Sequence, residues 1–267
     1  MKISGMLAGL ALGALPALPA LADTLDDVIG RGTLRCGVVL DFPPVGYRDE
    51  NNEPAGLDVD YCKDLAATLE VEVEIIPLTW AERLPLIASG RGDVVIASTS
   101  DTLERAKTVG FTVPYLLFQT QAIVNETSGV KTVEDMRGKR IAAAIGTTPE
   151  QNWLEIAKEW GEEDNYQSYQ SENEVFLAVA QGKADVGLTT NSAIKPVVEQ
   201  YDNLEAGPLM PFVGDYASIA AKRTDSSWLS YLNNFVNHQV RTGRYEELWH
   251  HYVGTEAPDL TIPKVYY

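Results

Sequence analysis

The sequence of 267 residues contains few histidines and cysteines and a small share of positive charge. Its three histidines are His238, His250 and His251, and their spacing matches no metal-binding motif such as HExxH, so a histidine-based zinc site is excluded. Lysine and arginine number 21 against 38 aspartates and glutamates, which gives a net charge of −17. Because such a surface repels phosphate backbones, no nucleic acid is expected as a partner.

Motifs of common enzymes and cofactor-binding proteins are also missing. The sequence contains no GxSxG elbow, no Walker loop, no CxxC pair and no GxGxxG loop. Most carboxylates fall on the faces of predicted helices, such as residues 150–163, where a solvated surface is the ordinary interpretation. We therefore expect no catalytic residue, no metal and no cofactor.

The first 22 residues have the composition of an export signal. Lys2 precedes an apolar run that is interrupted by glycine and proline, and Ala20-Leu21-Ala22 comes just before the first acidic residue. This order predicts a secretory signal peptide cleaved after Ala22, with the rest of the chain exported to the periplasm. A membrane anchor is the alternative, but the run is broken, and no later run reaches about 18 apolar residues.

The predicted export of the chain bears on whether its two cysteines form a disulfide. Cys36 lies in the strand-like run 34–39 and Cys62 in the helix-like run 59–69, which become neighbours if they open a βα unit. An oxidising compartment permits a disulfide between them, and two buried thiols are the alternative. We expect the disulfide.

Alternating short apolar runs and amphipathic segments indicate an α/β fold through most of the chain. The segment 88–94 resembles 180–186, since each has a helix-ending glycine, a basic residue, a small residue, and then Asp-Val entering a strand. This repeat predicts two lobes of similar topology. The amphipathic helix predicted at 226–243 is expected to return to the first lobe, which would then be discontinuous in sequence.

A cluster of hydroxyls with an arginine follows the buried strand predicted at residues 93–97. Ser98, Ser100 and Arg105 would leave this strand at its carboxyl end, the edge where open α/β sheets place ligands. A guanidinium offers paired donors that match the geometry of a carboxylate, which lysine cannot reproduce. The cluster therefore predicts a carboxylate site, with a surface ion pair as the alternative for Arg105.

A second candidate site is the start of the helix that follows the strand predicted at residues 140–145. Thr148 is suited to the N-cap, Pro149 to the first helical position, and Gln151 would complete a capping box. Such a helix end presents free amide donors to an anion, although a well-capped helix with no ligand is the alternative.

Two aromatic residues lie in loops that reach the same edge of the sheet. Phe42 follows the first predicted strand, and Trp80 ends the loop after the second. Aromatics in such loops can form a platform for a ligand, and core packing is the alternative.

The order and spacing of several short motifs resemble those of the family 3 extracellular solute-binding proteins, which deliver amino acids to ABC transporters in the periplasm. The likeness covers nearly the whole exported chain. It rests on Leu34-Arg35-Cys36-Gly37-Val38, Gly56-Leu57-Asp58-Val59-Asp60, Trp80-Ala81-Glu82-Arg83-Leu84-Pro85, residues 90–94, 102–105 and 111–115, and Gly138-Lys139 leading to Gly146-Thr147-Thr148.

The resemblance implies a type II periplasmic-binding-protein fold, in which two α/β lobes are joined by two crossover strands near residues 116–120 and 212–216. Each lobe is expected to be a mixed sheet flanked by helices. The first lobe would comprise 23–116 and 217–267, and the second 117–216. The resemblance also implies a function: a monomer that binds an amino acid or similar zwitterion in the cleft between the lobes and delivers it to a membrane permease.

The family pattern assigns ligand contacts to residues that the sequence had already singled out. The α-carboxylate falls to Ser98, Ser100 and Arg105, Thr148 adds a contact from the second lobe, and Phe42 and Trp80 flank the side chain of the ligand.

Two positions depart from the family pattern. The aspartate that holds the α-ammonium is replaced by Thr190, whose hydroxyl can accept a hydrogen bond but brings no charge. Val39 stands where binders of basic side chains carry an acid, although Asp41 is near and is included as a ligand contact. We therefore expect poor binding of ordinary acidic and basic amino acids, and a neutral amino acid or a modified zwitterion as the ligand.

Two other functions are compatible with the same fold. Cyclohexadienyl dehydratases of the periplasm resemble this chain in overall pattern, but they need a carboxylic acid in the cleft to assist the departure of a hydroxyl, and Thr190 removes the obvious one. The other alternative is a binding protein that senses its ligand without transport.

Overall fold

The computed structural model describes residues 23–260 of the chain, so the predicted signal peptide at residues 1–22 lies outside the described residues. The strands are β1 (Thr33–Val39), β2 (Tyr47–Arg48), β3 (Pro54–Ala55), β4 (Glu72–Leu78), β5 (Val94–Ser100), β6 (Gly110–Phe118), β7 (Thr120–Asn125), β8 (Ile141–Ala144), β9 (Tyr166–Tyr169), β10 (Val186–Thr190), β11 (Leu204–Leu209) and β12 (Asp215–Ala221). The helices are α1 (Thr24–Arg31), α2 (Leu57–Thr68), α3 (Arg83–Ala88), α4 (Thr148–Trp160), α5 (Glu172–Ala180), α6 (Ile194–Gln200), α7 (Ser226–Arg241) and α8 (Arg244–Val253).

The sheet of the first lobe has the strand order β4-β1-β5-β12-β6. β1 pairs parallel with β4 and β5, whereas β12 pairs antiparallel with β5 and β6. Its central strand, β5, is buried along its whole length, as expected for an unbroken run of small and apolar residues. It continues to Ser100, beyond the predicted end at 97, because Ser100 and Thr99 still pair with β12. Ser98 and Ser100 therefore lie within the strand and not after it.

The sheet of the second lobe repeats this arrangement with the order β11-β7-β10-β8-β9. β8 pairs parallel with β9 and β10, whereas β7 pairs antiparallel with β10 and β11. Helices α4 and α5 pack on this sheet, and α2, α3 and α7 pack on the first. The predicted α/β fold of two mixed sheets flanked by helices is confirmed.

The chain passes twice between the lobes. β6 ends at Phe118 and β7 begins at Thr120, and the return runs from Leu209 at the end of β11 to Asp215 at the start of β12. Both passages lie close to the crossovers expected near 116–120 and 212–216. The expected lobe limits, 116/117 and 216/217, fall inside β6 and β12, and we keep them as a proposal.

The sequence repeat corresponds to a matched ion pair in the two lobes. Asp93 accepts from the backbone N–H of Arg35 at 2.8 Å and from its guanidinium at 2.7 Å. Asp185 does the same with Arg140, at 2.9 Å and 2.7 Å. In each lobe this contact fixes the start of the central strand against its parallel neighbour.

The disulfide between Cys36 and Cys62 is present and joins β1 to α2, with 6.1 Å between the two Cα atoms. Both half-cystines are fully buried, and α2 packs against β1, β4 and β5. The predicted bond is therefore confirmed, as is the βα adjacency on which the prediction depended.

The C-terminal helices lie on the first lobe. α7 contacts β6 and β12, and α8 contacts α2. Trp228 of α7 is fully buried and donates its indole N–H to the carbonyl of Asp93 at 3.1 Å. Within residues 23–260, no helix has both the length and the apolar character needed to span a bilayer.

Candidate functional site

A small cavity of about 20 Å³ lies where the two lobes face each other. Its walls come from the end of β5, the loops after β1 and β4, the crossover strands β6 and β12, and the starts of α4 and α5. The lining residues are Phe42, Trp80, Arg83, Ser98, Ser100, Phe118, Thr147, Thr148, Pro149, Glu172, Thr190 and Asp215.

The start of α4 differs by one residue from the prediction. The N-cap is Thr147, whose hydroxyl accepts from the N–H of Glu150 at 3.3 Å, and Thr148 is the first helical residue. Glu150, not Gln151, reaches back, and accepts from the N–H of Gly146 at 2.6 Å. The shift has a functional consequence because the hydroxyl of Thr148, freed from capping, points across the cleft.

Thr148 and Ser100 meet across the cleft, with 2.5 Å between their hydroxyl oxygens. Arg105, which is 7% exposed, lies beside this pair and donates to the carbonyls of Ser100 at 3.3 Å and Gly146 at 3.0 Å. Its guanidinium is also 3.5 Å from the hydroxyl of Thr148. Arg105 thus lies just behind the lining residues and supplies positive charge to this end of the cleft.

Arg83 is a cleft residue that sequence reasoning did not single out. It is 2% exposed and donates to the carbonyls of Trp80, Ala97 and Ser98 in its own lobe. It also crosses the cleft to the carbonyl of Gly146 at 2.9 Å. Burial lowers the pKa of Arg83, yet a guanidinium keeps its proton at neutral pH. Two buried cations therefore converge on one carbonyl of the second lobe.

Gly146 is the residue on which this convergence depends. Its φ of +80° is rarely adopted by residues with a side chain, and a Cβ there would lie 3.4 Å from the backbone of Ala81 in the opposite lobe. The positive φ therefore favours a glycine here, whereas the opposite lobe leaves a Cβ at ordinary contact distance.

Three aromatic rings form the apolar wall of the cavity. Phe42 contacts both other rings edge to face. Its ring centroid lies 5.3 Å from that of Trp80 and 6.0 Å from that of Phe118. The guanidinium of Arg83 lies 4.8 Å from the ring centroid of Trp80. The indole nitrogen of Trp80 is buried without a hydrogen-bond partner among the described residues. This wall is both apolar and able to attract positive charge.

Ser98 is held in a strained backbone conformation, with a φ of +47°. Its hydroxyl donates to buried Asp58 at 3.2 Å, and the hydroxyl of Tyr115 donates to the same carboxyl at 2.6 Å. Burial raises the pKa of Asp58 to about 7, against the opposing effect of these hydrogen bonds. Ser98 therefore lines the cavity while its side chain is engaged with the core behind it.

Two acidic residues from opposite lobes lie next to each other in the cleft. Asp41 follows β1, and Glu172 is the first residue of α5; the N–H of Glu172 donates to Asp41 Oδ2 at 3.2 Å. Burial raises the pKa of Glu172 to about 8 and that of Asp41 to about 6. Asp41 Oδ1 and Glu172 Oε2 are buried and make no hydrogen bond of ordinary length among the described residues, although the Thr189 hydroxyl lies near Glu172 and opposes the rise in its pKa.

Asp215, at the start of β12, adds a third carboxyl group. It lies within hydrogen-bonding reach of the Ser100 and Thr148 hydroxyls, and burial raises its pKa. Thr190, the predicted ammonium position, also lines the cavity, and its hydroxyl is 2.9 Å from that of Ser192. An acid is therefore present in the cleft, but it comes from the crossover strand and not from the end of β10.

The cavity brings together Phe42, Trp80, Ser98, Ser100, Thr148 and Thr190, with Arg105 and Asp41 in contact with lining residues. Sequence reasoning missed Arg83, Glu172 and Asp215. Arg83 lies within a motif already quoted for the family, whereas Glu172 resembled any acidic residue in the first turn of a helix. Within residues 23–260, no group of three or more histidine, cysteine or acidic side chains is arranged to hold a metal ion.

Comparison with known proteins gives the family of the chain. The model of the bacterial extracellular solute-binding proteins, family 3, matches residues 34–255. The L-cystine-binding protein TcyJ of Escherichia coli (strain K12) is 25% identical over 235 residues, 87% of each chain. An ancestral arginine-binding protein bound to arginine is 31% identical, with a TM-score of 0.78 over 83% of this chain and 98% of that one.

A further structural neighbour connects the binding proteins with an enzyme. The ancestral amino acid-binding protein AncCDT-1, a precursor of cyclohexadienyl dehydratase, is 28% identical, with a TM-score of 0.77 over 86% of this chain and 99% of that one. These three relatives are named for the binding of amino acids, and the two solved structures share the two-lobed fold of this chain. From the family match over residues 34–255, this chain belongs to the bacterial extracellular solute-binding proteins of family 3.

Proposed function

We propose that this protein is the periplasmic binding component of an ABC importer, which holds an amino acid or similar zwitterion in the cleft and delivers it to a membrane permease. The observation that carries the proposal is the anion site at the lobe interface, where Arg105, Ser100 and Thr148 meet. A small carboxylate bound there would contact both lobes. Relatives named for cystine and arginine support an amino acid as the ligand.

In this proposal the two charged groups of the zwitterion bind side by side. The α-carboxylate is held by Arg105 with the hydroxyls of Ser100 and Thr148, since charge-assisted bonds to a guanidinium are the strongest available here. The α-ammonium binds Asp215, which lies beside the same two hydroxyls and supplies the charge that Thr190 lacks. Phe42, Trp80 and Phe118 face the side chain of the ligand.

A thermal-shift screen of the exported protein against the common L-amino acids, glycine betaine, proline betaine and ectoine tests the proposal. A ligand at one hundred times its Kd should stabilise the fold by about 2.7 kcal/mol, which is a measurable shift. Calorimetry on the hits gives the stoichiometry, expected to be one ligand per chain. If none of these zwitterions shifts the transition, the proposed function is wrong.

The structure also favours a second candidate function, a dehydratase of the cyclohexadienyl type. The sequence offered no carboxylic acid in the cleft for such chemistry, but Glu172 lines the cavity and burial raises its pKa to about 8, so it is protonated at neutral pH. A protonated carboxyl can donate to a departing hydroxyl. Incubation with a cyclohexadienyl carboxylic acid bearing a hydroxyl should then release water and carbon dioxide together, because the electrons of the broken carbon–carboxylate bond replace those of the departing hydroxyl and leave an aromatic ring, and Glu172→Gln should abolish the reaction. Turnover that persists in Glu172→Gln, or none in the wild type, contradicts this candidate.

A further inference from the structure

We propose that Asp58 and Tyr115, two buried residues behind the cleft, are positioning residues for ligand binding. Together they hold Ser98 in a left-handed backbone conformation, and this conformation aims Ser100 at the carboxylate of the ligand. Neither Asp58 nor Tyr115 is among the residues that line the cavity. The inference rests on the proposed function and adds to it two residues that act on the ligand only through β5.

The first argument is the backbone conformation of Ser98. Its φ of +47° lies in the left-handed region, which residues with a side chain rarely adopt and which costs free energy unless the surroundings hold it. The pairing of β5 with β12 shifts in register on this side of the strand, between the pairs made by Thr99 and by Val95. Such an irregularity re-aims the side chains that follow it. The direction of Ser100 therefore depends on the conformation of Ser98.

The second argument is that Asp58 and Tyr115 bind both the backbone and the side chain of Ser98. The hydroxyl of Tyr115 accepts from the backbone N–H of Ser98 at 3.0 Å and donates to Asp58 Oδ1 at 2.6 Å. The hydroxyl of Ser98 donates to the other carboxyl oxygen, Asp58 Oδ2, at 3.2 Å. All three residues are buried, so these hydrogen bonds close a ring that is shielded from water. This ring stabilises the left-handed conformation against its strain.

The two supporting residues are themselves fixed in the first lobe. The backbone N–H of Asp58, at the start of α2, donates to the carbonyl of Val45 at 2.8 Å. A Cβ on Gly56 would lie 2.4 Å from the same carbonyl oxygen, so the chain approaches it closely just before α2. Tyr115 is fully buried, and its ring centroid lies 5.0 Å from that of Tyr61. β5 is therefore supported by groups that have little freedom to move.

The conformation of Ser98 affects two contacts between the lobes. Its carbonyl accepts from Arg83 at 2.9 Å, and Arg83 also donates to the carbonyl of Gly146 in the second lobe. Ser100, two residues further along β5, meets the hydroxyl of Thr148. Relaxation of Ser98 to an ordinary strand conformation would displace both contacts. A ligand would then have to restore the left-handed conformation, and its affinity would fall by the cost of doing so.

Calorimetry on the exported full chain tests the inference, with the common L-amino acids, glycine betaine, proline betaine and ectoine as probes. Tyr115→Phe removes the hydroxyl and keeps the ring, and Asp58→Ala removes the carboxyl group. Each should raise the Kd of every probe that binds wild type by about fivefold to thirtyfold, which corresponds to the cost of about 1–2 kcal/mol for a left-handed residue. Tyr61→Phe is the matched control and should bind as the wild type, since Tyr61 is equally buried and its hydroxyl has no hydrogen-bond partner among the described residues.

The decisive comparison repeats Tyr115→Phe in a Ser98→Gly background, because a glycine adopts the left-handed conformation without strain. There Tyr115→Phe should change the Kd by less than about twofold. An effect as large as in the wild-type background would overturn the inference, since the hydroxyl would then act on the fold in general.

The remaining outcomes separate the inference from the proposed function. A folded Tyr115→Phe protein that binds the probes as the wild type does, or a Tyr61→Phe protein that loses as much affinity, overturns the inference and leaves the proposed function intact. If circular dichroism shows that Asp58→Ala does not fold, Tyr115→Phe alone decides. Wild type that binds none of the probes overturns the inference and the proposed function together.

Discussion

The carbonyl of Gly146 accepts hydrogen bonds from two arginines of the opposite lobe, at 2.9 Å from Arg83 and 3.0 Å from Arg105. The other contacts of the two arginines differ. Arg83 is otherwise bound to carbonyls of its own lobe, whereas Arg105 lies against the hydroxyl pair of Ser100 and Thr148. At the scale of single residues, Arg83 is therefore a structural cation and Arg105 the proposed anchor for the ligand.

Replacement of Arg105 by lysine should weaken ligand binding by at least tenfold. Lysine keeps the charge but loses the planar set of donors that serves Gly146, Ser100 and a carboxylate together, and a charged hydrogen bond contributes about 1.5–3 kcal/mol. Calorimetry with the ligand found in the screen measures the loss. Arg91→Lys, at an exposed position, is the control and should bind normally. Unchanged affinity in a folded Arg105→Lys protein would remove Arg105 from the site.

Asp215→Asn should weaken the binding of the same ligand by at least tenfold, because it removes the charge proposed to hold the α-ammonium. The loss should be much smaller for an analogue of the ligand that lacks the α-amino group. Calorimetry with both compounds separates this role from a general effect on the fold. Tighter binding by Asp215→Asn would instead mean that Asp215 competes with the carboxylate of the ligand for Ser100 and Thr148.

At the scale of elements, both lobes have an aspartate–arginine ion pair at the start of the central strand, but the aspartate is more deeply buried in the first lobe than in the second. The side chain of Asp93 is 3% exposed and binds both Arg31 and Arg35, whereas that of Asp185 is 27% exposed and binds Arg140. Screening by water makes an exposed pair weaker than a buried one. The first lobe therefore depends more on its ion pair than the second.

Asp93→Asn should lower the free energy of unfolding by about 2–4 kcal/mol, because it leaves two guanidiniums without their buried partner. Asp185→Asn, the matched change in the second lobe, should cost about 1 kcal/mol or less. Urea denaturation followed by circular dichroism measures both. Equal losses in the two variants would contradict the difference in burial as the cause.

The same elements show how far the sequence could be interpreted. The repeat at 88–94 and 180–186 and the strand alternation could be predicted, because they depend on local periodicity and turn chemistry. The disulfide could be predicted because an export signal and the βα adjacency of its two cysteines both favour it. The N-cap of α4 was misplaced by one residue since Thr147 and Thr148 are chemically equivalent caps, and only the backbone decides between them. Glu172 and Asp215 could not be predicted as cleft residues, because their position depends on how the second lobe and the crossover strand are set against the first.

At the scale of the whole molecule, some contacts between the lobes stabilise the closed cleft and others destabilise it. The Ser100–Thr148 pair and the two arginines on Gly146 hold the lobes together. Half-buried Asp41 and buried Glu172 come close from opposite lobes, and the negative charge of Asp41 raises the pKa of Glu172. Closure of the ligand-free protein should therefore depend on pH.

The sign follows from the pKa of Glu172, which rises from 4.5 to about 8 chiefly through burial and also through the charge of Asp41, while a hydrogen bond with the Thr189 hydroxyl opposes the rise. A raised pKa means that the closed arrangement binds the proton more tightly than the open one. The contribution to closure is thus complete below pH 4.5, declines as the pH rises, and is lost above about 8. Asp41, with a pKa of about 6 and Arg83 and Glu174 nearby, acts in the same direction.

Small-angle X-ray scattering of the ligand-free protein should accordingly show a larger radius of gyration at pH 9 than at pH 5. Glu172→Gln cannot ionise, so the increase should be much smaller in this variant, while Glu155→Gln should behave as the wild type. The same pH response in Glu172→Gln as in the wild type would show that the acid pair does not control the opening of the cleft.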